Sequence, residues 1–452
     1  MKEFIILSPT AILGYGFPLS SFKEGLRRSP NAIAVDAGST DPGPYYLGAG
    51  ASFTGRDSVK RDLGLILDAS AANKIPVLIG SAGGSGGEPH LKRDVDLIME
   101  IAKEKGLHFR LAVIHAEVDR NLIRDSLRRN KVKPLGPVPP LEEKDLDDAV
   151  RIVGQMGIEP LSGALEAGAQ VVIAGRAYDP SVFAAPAIRS GYRPGPAIHM
   201  GKILECGAIA ATPGSGSDCL LGRIGAGYFE VETLNPARAC TVTSVAAHTL
   251  YEKSDPVYLP LPGGCLDLKR TRFEQVADNR VRVTGSRFIP SQKYTVKLEG
   301  VKKAGYRTVT IAGCRDPVLI REIDKVIEIV KERTRDNFEG TVSDYSVNFK
   351  IYGKNGVMGK LEPVRDTLSH ELGIVIEVIG KTQETADTIC GFARSTMLHC
   401  SYPGRIATAG NLAFPFSPSE FRGGEVFNYN IYHLMEVADP FELFPMEIIN
   451  VK

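Results

Sequence analysis

Short apolar runs alternate with amphipathic stretches through the first half of the chain, and this alternation is what most constrains the fold. AIAVD (Ala32–Asp36), IPVLIG (75–80), FRLAVIHAEVD (109–119) and AQVVIAGRAYDPS (169–181) have the length and β-branched content of buried strands. Between them, DSVKRDLGLILDASAANK, LKRDVDLIMEIAKEKG and NLIRDSLRRN carry apolar residues at helical spacing, and Gly106 supplies a C-terminal stop for the second. Strand and helix in turn imply a mostly parallel, doubly wound α/β sheet. Ligands on such sheets sit outside the carboxyl ends of the strands, so the loops after Asp36, Gly80, His115 and Gly175 are expected on one rim.

The texture changes from about Pro236. FEQVADNRVRVTGSRF predicts a hairpin turning at Asp278–Asn279, and a charged helix, DPVLIREIDKVIEIVKERT, follows the strand GYRTVTIAG. VNFKIYG, GIVIEVIG and the helical run after it complete an α+β texture. The expected division is an α/β domain over 1–235, with glycine-rich ligand loops, and an α+β region over 236–452 that forms one domain or two subdomains. At 452 residues, more than one domain is the natural expectation.

The balance of charge excludes some functions. A net charge of +1, with 24% charged residues, argues against a dedicated nucleic-acid binder, which needs clustered excess Lys and Arg. No apolar run approaches the ~18 residues of a membrane span. The opening MKEFIILSPTAILGYGFPLS reads as a strand and loop rather than a leader, which gives a cytoplasmic protein as the expectation. The seven cysteines are scattered without a C-x-x-C pair, as expected of reduced thiols, and the eight histidines show no zinc spacing. No cofactor motif is present; a divalent metal held by distant carboxylates stays open. The expected partners are a small-molecule substrate and further copies of the chain in a homo-oligomer, with a pathway partner subunit as a further option.

Four rim segments carry candidate chemistry. VLIGSAGGSGGEPH (77–90) puts Ser81, Gly83, Gly84, Ser85, Gly86 and Gly87 after a strand, where bare backbone can point several N–H groups at an anion. Glu88 and His90 stand at its exit as candidate general acid or base; their plainer roles are a helix N-terminus and an exposed side chain. VDAGSTDPGPYYLG offers Asp36 and Asp41 around a turn, either for acid–base work or as local backbone caps. In VVIAGRAYDPSVFAAPAI, Arg176 and Asp179 follow a strand that ends at Gly175: Arg176 could grip a carboxylate, or the two could pin the loop as an ion pair. ATPGSGSDCLLGRIGAGYFE (211–230) reads as a hinged lid or a loose connection. His248, inside a helical pattern, reads as a packed histidine.

Longer stretches carry a resemblance. AGRAYDPSVFAAPAI, HMGKILECGA, CTVTSVAAHTLYEKSDPVYL, FEQVADNRVRVTGSR and KAGYRTVTIAG occur in order, and on them most of the chain resembles the acyclic terpene utilisation family. That resemblance implies a place in the breakdown of compounds such as citronellol and geraniol, where intermediates are branched acyl-CoA thioesters. It supplies no catalytic residue. The leading expectation is a hydratase or lyase acting on a small branched carboxylate or its CoA thioester. In it the Gly83–Gly87 N–H groups hold the developing oxyanion, Arg176 grips a carboxylate, and Asp36, Glu88 or His90 moves the proton. The alternatives are a nucleotide- or phosphate-binding enzyme, since DAGST resembles the phosphate turn of actin-like ATPases, and a non-catalytic subunit of a catabolic complex.

Overall fold

A computed structural model describes residues 2–364, 366, 369–406 and 408–452. They form two compact units, one of residues 1–302 with 429–452 and one of residues 303–428.

The first unit is built on a ten-stranded sheet in the order Arg272–Ala277, Arg280–Thr284, Tyr228–Thr233, Leu220–Ile224, Phe4–Ser8, Ala32–Asp36, Val77–Gly80, Val171–Ala174, Phe109–Ile114 and Met446–Val451. The five strands from Phe4–Ser8 to Phe109–Ile114 are mutually parallel, and those added on either side are antiparallel. The parallel strands read as unbroken apolar runs because both faces are covered. Ile6, Ala32, Ala34, Leu78, Val172 and Ala174 enter one core, whereas Leu7, Ile33, Val35, Ile79, Val171 and Ile173 enter another. That is the two-residue alternation of strand side chains carried across four neighbouring strands. The α/β expectation therefore holds for the N-terminal half, with antiparallel pairing more prominent toward the C-terminus.

The helices that cover the sheet follow the expected signals. Arg56–Asn73 and Glu88–Lys105 are helices, and Gly106 ends the second in the left-handed conformation at φ +62°. The hairpin also forms: Arg272–Ala277 pairs antiparallel with Arg280–Thr284 around Asp278–Asn279. It adds strands to the sheet of the first unit, so the expected boundary at 235 falls inside that unit. The segment 211–230 is neither lid nor loose connection. Leu220–Ile224 pairs along Phe4–Ser8, and the nearly fully buried Asp218 accepts hydrogen bonds from Cys219 N (2.9 Å), Asn235 Nδ2 (2.6 Å) and Arg238 Nε (3.0 Å). The small residues of its first half mask an apolar run that completes a sheet.

The second unit is α+β. Within it, the end of the long strand Tyr294–Cys314 pairs antiparallel with Leu372–Gly380, which pairs in turn with Ser346–Tyr352. The helix Pro317–Phe338, capped by Asp316, buries Leu319, Ile323, Val326, Ile327 and Val330 along one stripe against this sheet and the helix Gln383–His399.

Candidate active site

The carboxyl ends of three parallel strands meet the helices Asp179–Arg189 and Pro194–Leu204 in a buried polar cluster of the first unit. Asp36 ends its strand and is 5% exposed. Its Oδ2 accepts from Gly38 N at 3.2 Å, whereas Oδ1 has no hydrogen-bond partner among the described residues. Gly80 stands opposite Asp36 in the parallel register; a Cβ there would lie 3.2 Å from Asp36 Oδ1 and 2.4 Å from Val182 Cγ2.

Arg176 is 2% exposed and is committed to protein acceptors. Its Nε donates to Glu299 Oε2 at 2.9 Å, and Nη1 to Asp179 Oδ1 (2.8 Å), Ser81 Oγ (3.1 Å) and Ala177 O (2.7 Å). Glu299 also pairs with Lys297 Nζ at 2.6 Å and accepts from Thr40 Oγ1 at 3.0 Å. Burial raises the Glu299 pKa, but Arg176 and Lys297 outweigh it and hold the carboxyl at about 2.

On the other side stand Lys202 and Glu205. Gly201 lets the two helices touch, since a Cβ there would lie 2.4 Å from Pro180 O. Lys202 Nζ donates to Glu205 Oε1 at 2.5 Å and lies 3.7 Å from Glu252 Oε2. Glu205 is 6% exposed, and its Oε2 has no partner among the described residues. It caps the C-terminal end of its helix, where the macrodipole disfavours a negative charge. Burial pushes Glu205 up to about 8; Lys202 opposes the shift, and the charge of Asp179 adds to it. Asp36 is likewise raised well above the carboxylate range, by burial first and then by Asp179, against the pull of Arg176, with Glu205 adding to it. Both acids are shifted toward the protonated form for the same reasons: burial and like charge. Tyr178 completes the group. Its hydroxyl is buried without a partner among the described residues, and burial and the charge of Glu205 raise its pKa.

The structure thus brings together Asp36, Ser81, Gly84, Gly86, Arg176 and Asp179. A Cβ at Gly38 would lie 3.0 Å from Gly84 Cα, and one at Gly86 (φ +66°) would lie 2.1 Å from Arg176 N, so the loop is packed backbone on backbone. Its N–H groups are largely used inside the fold. Those of Ser81 and Ala82 go to Gly175 O and Ala174 O, that of Gly83 to Asp94 Oδ2 (2.7 Å), and those of Gly84 and Gly86 to Ser81 O and Ala82 O. Ser85 is fully buried, and its Oγ has no partner among the described residues; a Cβ at Gly87 would lie 2.5 Å from Arg151 Cδ. Glu88 and His90 point elsewhere. Glu88 is half exposed and pairs with His115 Nδ1 at 2.9 Å. His90 is fully buried, with Nε2 at 3.1 Å from Tyr46 O and 2.9 Å from Ala51 O, and burial lowers its pKa. Asp41 accepts from Ser39 Oγ at 2.7 Å and serves as a local turn residue.

Tyr178, Lys202, Glu205 and Glu299 escaped sequence reasoning. A signal for two of them existed: Lys202 and Glu205 are the only charges in HMGKILECGA, on a helix whose other residues are nearly all buried. Glu299 had none, because its partner Arg176 lies 123 residues away. His248 is buried as expected, with its ring 5.3 Å from that of Tyr251 and nearly parallel to it. Among the described residues, no three His, Cys, Asp or Glu side chains are arranged to hold a metal ion, and no helix is long and apolar enough to cross a membrane.

Fold and cluster together define an α/β protein with two buried carboxyl groups, Asp36 and Glu205, in a polar cluster at the carboxyl rim of its sheet. The model of the acyclic terpene utilisation family protein AtuA matches residues 56–416, and the chain belongs to this family, one of acyclic terpene catabolism. No curated protein and no solved structure matches the chain. The glycine loop, Arg176, Tyr178, Lys202, Glu205 and Glu299 lie inside the matched span; Asp36 precedes it.

Proposed function

We propose that the chain is a hydratase or lyase acting on a small branched carboxylate or its CoA thioester in acyclic terpene or branched-acid catabolism. The observation that carries this reading is the pair Asp36 and Glu205, two buried acids that each keep one oxygen free of protein partners. Adding water across a double bond conjugated to a carbonyl needs a proton at the α carbon and a site for negative charge at the carbonyl oxygen. Asp36 gives its proton to the α carbon as the water oxygen bonds to the β carbon. The proton released by that water returns to Asp36, which ends as it began. Elimination is the reverse. Arg176, committed to Glu299 and Asp179, holds the loop rather than the substrate. The test is turnover of unsaturated and hydroxylated C5–C10 acids and thioesters by purified protein, with and without divalent metal. Conversion abolished by Asp36→Asn supports the reading, and inactivity across the panel contradicts it.

A further inference from the structure

We propose that Tyr178 Oη and Glu205 Oε2 form a neutral pair of hydrogen-bond donors for a carbonyl oxygen, and that the reacting end of the substrate is an uncharged thioester rather than a free carboxylate. The inference rests on the hydratase or lyase reading and narrows its substrate class.

Three observations carry it. First, both oxygens are buried and without partners among the described residues, although they belong to one cluster and Glu205 is more than nine-tenths buried. A buried hydroxyl or acid left unpaired is costly, so a fold that keeps two in one cluster, close enough for the charge of Glu205 to act on Tyr178, keeps them for an acceptor. Second, Lys202 Nζ already donates to Glu205 Oε1, so the proton of the neutral acid belongs on Oε2. A carboxylic acid kept neutral by burial, paired with a tyrosine, is a proven way to hold an oxyanion at neutral pH.

Third, the charges of the cluster already balance. Its cations are Arg176, Lys202 and Lys297, and the carboxyl groups that pair with them, apart from Glu205, are Asp179, Glu299 and Glu252, three against three. A carboxylate ligand would add an uncompensated charge to a buried site. A thioester carbonyl enters without charge. The negative charge appears on its oxygen only as the reaction proceeds, and there two O–H donors reward it selectively. The glycine loop cannot take this role at Gly83, Gly84 or Gly86, whose N–H groups already have acceptors. The cluster reaches solvent at Tyr251 and Glu252, both exposed and next to Lys202.

The test uses substituted phenols and 2-naphthol, which enter uncharged and mimic the oxyanion when they ionise in the site, read from absorbance, against the matching benzoates and 3-methylbutanoate. Wild-type protein is expected to bind phenols at least tenfold more tightly than benzoates. Tyr178→Phe and Glu205→Gln should each lower phenol affinity tenfold or more; if Tyr178→Phe does not fold, Glu205→Gln decides. Benzoates bound as tightly as phenols, or phenol affinity unchanged in a folded variant, would overturn the inference. The outcomes separate from those of the proposed function. Variant-sensitive phenol binding without turnover of any thioester contradicts the hydratase reading and supports the donor pair. Thioester turnover unchanged in both variants contradicts the donor pair and leaves that reading standing.

Discussion

Gly80 faces Asp36 across two parallel strands, and the space that its missing side chain leaves is filled by Val182 and by the free oxygen of Asp36. A Cβ at this position would lie 2.4 Å from Val182 Cγ2. Gly80→Ala is therefore expected to destabilise the protein by about 1–3 kcal/mol through overpacking. Urea unfolding of the variant checks this; a stability within error of wild type would mean that the strand and helix are less tightly opposed.

Asp36 carries the proton transfer in the proposed reaction. Asp36→Asn keeps the shape and the hydrogen bond from Gly38 but removes the acid. The expected loss in kcat is about 10²–10⁴-fold, with little change in KM and a retained fold, measured on whichever thioester wild-type protein converts.

Arg176 is a structural cation. Its removal strands Glu299 in the interior with Lys297 and Thr40 as its remaining hydrogen-bond partners among the described residues. Arg176→Met should cost about 3–5 kcal/mol of stability, since breaking a buried pair leaves the other charge uncompensated. Adding Glu299→Gln should restore part of the loss. A double variant no more stable than the single one would show that the ion pair is not the source of the cost.

Glu205 makes stability pH-dependent in a calculable direction. Its carboxyl is raised to about 8 in the fold, against about 4.3 in an unfolded chain. Between those values the folded state holds a proton that the unfolded state has lost, so this contribution is full below about 4.3 and is lost as pH rises through about 8. Asp36, raised likewise, adds to the same trend. Denaturation midpoints should fall from pH 5 to pH 8, and Glu205→Gln should flatten that fall. An equally steep decline in the variant would remove Glu205 as its cause.

Much of the scaffold was legible because its signals are local. The alternation of Val35 with Ala34, or of Ile79 with Leu78, is written in consecutive residues, and so are the stop at Gly106 and the turn at Asp278–Asn279. Placing Asp36, Gly84 and Arg176 on one rim followed from topology alone. Which groups are free to act did not, because that depends on distant partners. Arg176 looked available until Glu299, far along the chain, took its Nε. The glycine loop looked like a cradle until Asp94 and the loop's own carbonyls took its N–H groups. Glu88 and His90, two residues apart on a helix, point to different neighbours, since such a spacing does not share a face. Apolar composition hid Leu220–Ile224 in the opposite way, behind the small residues that precede it.

The central claim is that Asp36 and Glu205 both hold protons in the folded protein at neutral pH. Infrared difference spectroscopy of wild type against Asp36→Asn and against Glu205→Gln, at pH 7, reads this directly from the carboxylic acid C=O band. The expected result is a protonated-carboxyl band that each substitution diminishes. Spectra in which each substitution removes only an ionised-carboxylate band would contradict the account.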